Sequence, residues 1–253
     1  MVRGLTTFRE HFIDYKEQYV LIGGAASSEI LSQSGLTFRA TRDLDIVLIV
    51  EALSAEFGRA FWEFIEKGNY RSIFQNKEEK KCYRFNNPVN AMYPEQIELF
   101  SRIPETIDFK GYGRITPIPI DNELSSLSAI ILDDNYYSLI KNGLMDINGL
   151  SCLRPAYIII LKAKAYLNMT KSIAEGENIT SQKLNKHKND VFRLFPVLEP
   201  NEIIELPLSV KNDLRDFIFL IENDTTINIK NLGIRRIGLK EVIERLKIIF
   251  NLD

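Results

Sequence analysis

Two aspartates, Asp43 and Asp45, lie one residue apart in the run RDLDIVLIV, and a glycine pair, Gly23-Gly24, stands upstream of them. Carboxylate oxygens are hard donors of the kind magnesium takes. Glycines ahead of a helix let backbone approach a bulky anion, and the unpaired N–H groups at a helix start favour phosphate. Together these are the parts of a metal-assisted phosphoryl-transfer site.

Leu44, Ile46 and Leu48 alternate with Asp43, Asp45 and Val47. The spacing predicts a strand over residues 43–49 that buries the first set and turns both carboxylates to the opposite face. Two residues along a strand advance roughly 6.6 Å. Ions in two-metal sites lie about 3.5 to 4 Å apart, with Mg–O bonds of about 2.0 to 2.1 Å, so neighbouring carboxylates suit such a pair. A third acid is expected at Glu98, in Gln96-Ile97-Glu98-Leu99-Phe100, where Ile97 and Leu99 mark the core face. If its strand pairs beside that of the aspartates, the three acids converge. The expected chemistry is in-line attack of a hydroxyl on a nucleoside triphosphate. Asp43 and Asp45 would hold one Mg2+, all three acids a second, and Glu98 would be base or metal ligand on the acceptor side; Mn2+ is the alternative ion.

Each piece alone has a plainer explanation. A glycine pair is more often a turn, and two alternate aspartates are often a solvated strand face. Their order makes one pocket: strand, glycine turn, helix, acid-bearing strand, second acid-bearing strand.

The elements that must position these groups begin with a short strand over residues 19–22. A helix follows through Glu29, Ile30 and Leu31, closed near Gly35. Ser27 and Ser28 would add hydroxyls toward phosphate. Ser54 caps a helix whose Phe57, Phe61, Phe64 and Ile65 form a core stripe ended by Gly68. Further strands are expected at 83–85, 96–101, 114–118 and 128–132, kept short or at edges by Pro88, Pro94, Pro117 and Pro119. The stretch NYYSLIKNGLMDINGLSCLRP reads as a turn-rich connector to a run of helices. Pro155 opens the first of these, and Lys162 and Lys164 interrupt its apolar face. Later helices are expected over 182–194, 210–221 and 239–250, with Ser181 and Ser209 as caps. By itself Lys162 reads as a lysine laying its stem on apolar surface. Asp190, late in its helix, is either solvated or paired with a cation such as Lys162.

With these residues in view, the chain resembles the nucleotidyltransferase fold of the DNA polymerase beta superfamily, especially its AbiEii-like toxin branch. The likeness rests on G-G-x-A, on Arg39-x-Thr41-x-Asp43-Leu44-Asp45 and on Glu98; more loosely it extends to Lys162 in IIILKAKAYL and Asp190 in KHKNDVFRL. The resemblance implies an α+β fold: a nucleotidyltransferase-like mixed β-sheet with flanking helices, followed by a helical C-terminal region. A change of composition after about Asp121 divides the chain into a nucleotidyltransferase-like catalytic domain over 1–120 and connecting strands with a helical domain over 121–253. The resemblance implies that Lys162 contacts nucleotide phosphates and that Asp190 organises the helical half, both joining Gly23, Gly24, Ser27 and Ser28 as nucleotide-binding residues. It further implies Mg2+-dependent transfer to a hydroxyl acceptor, RNA such as tRNA or a small molecule, and a cognate antitoxin. Ala25 stands directly after the glycines, and the third acid is Glu rather than Asp. Both point to a second expectation, a catalytically inactive nucleotide-sensing or partner-binding module on the same fold.

Composition restricts the alternatives. The chain has 253 residues, and 32 basic residues balance 34 acidic ones, so there is no global basic footprint of a general nucleic-acid binder. Two local basic clusters stand out, Lys77 with Lys80 and Lys81, and Lys183 with Lys186, His187 and Lys188. The first is expected to be a solvated turn, and the second an exposed helix face with a secondary reading as an acceptor-phosphate contact. Cys82 and Cys152 lack zinc or redox spacing, and no Ser-His-Asp arrangement is legible. The amino terminus lacks a signal-peptide core, and the longest apolar run, AYIIIL, is too short to span a bilayer, so a cytoplasmic location and no membrane partner are expected.

Overall fold

The computed structural model describes residues 2–72, 82–102 and 122–252. Among them, seven strands form one mixed sheet: β1 (Tyr19–Ile22), β2 (Asp43–Leu48), β3 (Arg71–Ser72), β4 (Cys82–Asn86), β5 (Gln96–Phe100), β6 (Leu144–Ile147) and β7 (Leu150–Leu153), in the order β3-β4-β5-β2-β1-β7-β6. β2 runs antiparallel to β1 and parallel to β5, while β4 runs antiparallel to β5. A parallel pair needs a crossover. Between β2 and β5 the chain supplies α3 (Ala55–Gly68), capped as expected by Ser54, whose Oγ accepts from Phe57 N at 3.1 Å. The stripe Phe57, Phe61, Phe64 and Ile65 is buried, and it packs with Phe8 and Phe12 of the α1 segment (Leu5–His11 and the residue after it).

The described chain divides into two compact units, Met1–Leu124 with Ile140–Arg154, and Ser125–Leu139 with Pro155–Asp253. The first holds the sheet. The second is helical, with most of α4 (Asn122–Leu132) and α5 (Asp134–Asn142) followed by α6 (Pro155–Ala174), α7 (Ser181–Leu194), α8 (Leu208–Ile221) and α9 (Leu239–Ile249). The fold is thus α+β, a mixed sheet flanked by helices with a helical carboxy-terminal region. Among the described residues no helix is long and apolar enough to cross a membrane.

Several local expectations are corrected. Residues 128–132 are helical, inside α4, because Ile130 and Ile131 bury on a helix face. The connector is not merely turns: its first part is α5 and its second a hairpin, β6–β7, which joins the sheet beside β1. Asn148 and Gly149 close that hairpin with φ of 51° and 87°, the pair of positive values a two-residue type I′ turn demands. Thr180, not Ser181, caps α7, accepting from Lys183 N at 3.3 Å. Ser209 lies inside α8 and accepts from Asn135 Nδ2 at 3.0 Å. The strand expected at 114–118 lies outside the described residues.

Lys164, which breaks the apolar pattern of α6, has a local purpose. Its Nζ and the Tyr136 hydroxyl both donate to Asp213, each at 2.7 Å, tying α5, α6 and α8 together.

Candidate active site on the sheet face

Strand register builds the site. Asp45 pairs with Ile22 of β1 on one side and with Glu98 of β5 on the other, Asp43 pairs with Gln96, and Glu98 pairs in turn with Arg84 of β4. A single row therefore crosses three strands: Asp45, Glu98, Arg84. Period-two alternation puts Asp43 and Gln96 on the same face, while Leu44, Ile46, Ile97 and Leu99 bury opposite.

Glu98 is 6% exposed, and its surroundings are specific. Its Oε1 accepts from Arg84 Nε at 3.0 Å, Arg84 Nη2 at 2.9 Å and Gln96 Nε2 at 2.6 Å. Asp45 lies beside it in strand register. Burial first, then the charge of Asp45, push the Glu98 carboxyl up to about 9 against the opposing pull of Arg84, with Asp43 adding to the rise. Like charges crowded on a buried face favour holding a proton there.

The glycines serve this face in an unexpected way. No separate turn follows β1, since α2 (Gly23–Gln33) begins at Gly23 itself, with φ of 64°. A Cβ on Gly23 would overlap Asp45 Oδ2, and one on Gly24 would overlap Thr41 Oγ1. The pair thus lets the acid-bearing segment lie directly on the helix start. No side chain caps that end by a hydrogen bond. The helix closes as expected at Gly35: Gly35 N donates to Ser32 O at 3.0 Å and Leu36 N to Leu31 O at 2.8 Å, the two bonds of a Schellman motif.

The remaining expected residues separate. Ser27 is fully buried and donates its hydroxyl to Gly23 O at 2.7 Å, whereas Ser28 is half-buried. Lys162 and Asp190 lie in the helical unit. Lys162 is 8% exposed rather than spread on the surface, with its Nζ 3.7 Å from Asp190 Oδ2. Asp190 is fully buried and accepts from Arg193 Nη1 at 3.0 Å, so it is a paired acid and not a solvated one. The second basic cluster does not form one exposed face. Lys183 is exposed, but His187 and Lys188 are buried, and Lys188 Nζ donates to Asp224 Oδ2 at 2.5 Å. Lys77, Lys80 and Lys81 lie outside the described residues. Cys152 is buried with its thiol pushed up to about 12, chiefly by that burial.

Among the described residues no group of three or more His, Cys, Asp or Glu side chains stands in position to hold a metal ion. The donor chemistry on the sheet face still suits a hard cation: Asp43 and Asp45 are both partly exposed carboxylates, and the shared face carries the like-charge stress that a cation relieves. Sequence reasoning placed Thr41 only in the family motif and gave no role to Arg84 or Gln96. Thr41 and Gln96 carried a signal, each two residues from an acid on an alternating pattern. Arg84 carried none, since its place depends on strand register.

No family model matches the chain, and no curated protein matches it. Solved structures do. The crystal structure of an antigenic nucleotidyltransferase-like protein from Paracoccidioides brasiliensis is 14% identical, with 95% of this chain and 90% of that one covered and a TM-score of 0.48.

Proposed function

We propose that the chain is a divalent-cation-dependent nucleotidyltransferase that moves a nucleoside monophosphate from a triphosphate to a hydroxyl and releases pyrophosphate. The observation that carries this is the in-register placement of Glu98 beside Asp45, on a face closed at one side by the Gly23-Gly24 start of α2. Asp43 and Asp45 would hold the ion. Magnesium, or manganese in its place, supplies charge stabilisation on the triphosphate when bound. The start of α2, which has no side-chain cap, would present backbone N–H groups to phosphate. Glu98 is the acceptor for the proton of the attacking hydroxyl, whose oxygen bonds the α-phosphorus as the bond to the bridging oxygen breaks. An ion on Asp45 would offset one of the charges that raise the Glu98 carboxyl, while burial, the larger cause, stays.

The acceptor follows from the family resemblance. An RNA end such as that of tRNA comes first, with a toxin-like role and a neighbouring antitoxin, and a small hydroxylated compound second. Lys162 remains a candidate phosphate contact and Asp190 its partner. A second reading is a nucleotide-sensing module without turnover. It is favoured by the Arg84 ion pair, which already occupies the third acid. Calorimetry with several triphosphates and Mg2+, then radiolabel transfer onto total RNA and onto the protein, separates the two. Binding without labelled product on any acceptor supports the module, and absence of binding sinks both.

A further inference from the structure

We infer that the acidic face takes one divalent cation rather than two, because Arg84 and Gln96 already bind the Glu98 carboxyl. This rests on the ion-holding part of the function proposed above and narrows it. A carboxylate oxygen has two lone pairs. Glu98 Oε1 faces three N–H donors, two from Arg84 and one from Gln96, all between 2.6 and 3.0 Å. An ion using that oxygen would have to displace a guanidinium that cannot lose its charge. The pair is also shielded, with the Glu98 side chain 7% and the Arg84 side chain 20% exposed. Breaking such a pair costs more than breaking one in open solvent.

The arrangement is fixed by the fold and not by side-chain chance. Arg84 and Glu98 are register partners on antiparallel β4 and β5, and Glu98 and Asp45 are register partners on parallel β5 and β2. Gln96, two residues from Glu98 on the same strand face, holds the carboxylate from the side. Arg84 and Gln96 are therefore positioning residues. They commit Glu98 to the acceptor side and leave the ion to the two aspartates.

The test is the number of Mn2+ ions bound by the full chain without nucleotide, counted by electron paramagnetic resonance of the free ion. One ion is expected for the wild type and for Arg84→Lys, which keeps the charge. Two are expected for Arg84→Gln, with circular dichroism reporting that its fold is retained. Two ions on the wild type, or one on folded Arg84→Gln, overturn the inference while leaving the ion-holding aspartates in place. If Arg84→Gln does not fold, the wild-type and Arg84→Lys counts still decide: one ion on each supports the inference, and two on either overturn it. No Mn2+ on the wild type removes the metal reading and the inference with it.

Discussion

Asp45 and Glu98 are direct partners across neighbouring parallel strands, and the charge of Asp45 adds to burial in pushing the Glu98 carboxyl up. Parallel pairing of β2 and β5 sets two acids from distant parts of the chain side by side, with their core-facing neighbours filling the interior behind them. A face of this kind is costly to fold without compensation. Arg84 and Gln96 supply part of it, and an ion on the exposed side supplies the rest in the proposed function.

Gly23 and Gly35 both have positive φ but different surroundings, which separates backbone strain from site geometry. A Cβ at Gly35 would meet nothing within 4 Å, so Gly35→Ala should cost about 1–2 kcal/mol of stability and leave Mn2+ affinity unchanged. At Gly23 the added carbon also collides with Asp45. Gly23→Ala should therefore add a loss of at least about tenfold in Mn2+ affinity, the scale seen when metal ligands are misplaced. Denaturant unfolding and Mn2+ titration on both variants measure this; equal Mn2+ affinity would show that the contact with Asp45 does not matter.

Asp190 is fully buried between Lys162 and Arg193. Asp190→Asn removes the charge they share and should lower stability by about 3 kcal/mol, the scale of breaking a buried pair. Nucleotide affinity of the folded variant, measured well below its melting point, decides the second question. Unchanged affinity takes Asp190 out of the nucleotide site and leaves it as a brace of the helical unit.

Asp224 gives a pH dependence with a definite sign. Burial acts to raise its pKa, but hydrogen bonds from Lys188 and Thr226 outweigh that and hold the carboxyl below its ordinary value. A carboxyl depressed in the folded state stabilises above its unfolded pKa, and the contribution is lost as pH falls through the folded one. The protein should lose this stabilisation below about pH 4. Asp224→Asn should melt lower at pH 7 and show a shallower loss between pH 5 and pH 3; a parallel acid limb in both proteins would contradict the assignment.

Much of the sheet could be read from alternation alone. The faces of β2 and β5, the stripe of α3 and the Gly35 stop follow from period and cap chemistry, which are local. The hairpin at Asn148-Gly149 carried an equally local signal that the helical and turn-rich neighbourhood obscured. What alternation cannot supply is register. Nothing in the order of residues says that Arg84 falls opposite Glu98, or that Asp45 lies against Gly23, since both depend on pairing between segments far apart in the chain. The same holds for Lys162, whose burial is decided by α7 packing on α6 and not by its own helix. Ser27 went astray for a different reason: a serine early in a helix is as able to donate to the carbonyl four residues back as to reach a ligand, and here it does the former.

The most direct test of the proposed function is transfer of label from an α-labelled nucleoside triphosphate, with Mg2+, onto total RNA and onto the protein itself, using wild type, Asp43→Ala and Asp45→Ala. Labelled product should form with the wild type and fall by at least about a hundredfold in both variants, the loss of several kcal/mol of charge stabilisation, while circular dichroism shows the fold intact. Full transfer by both folded variants would contradict the account.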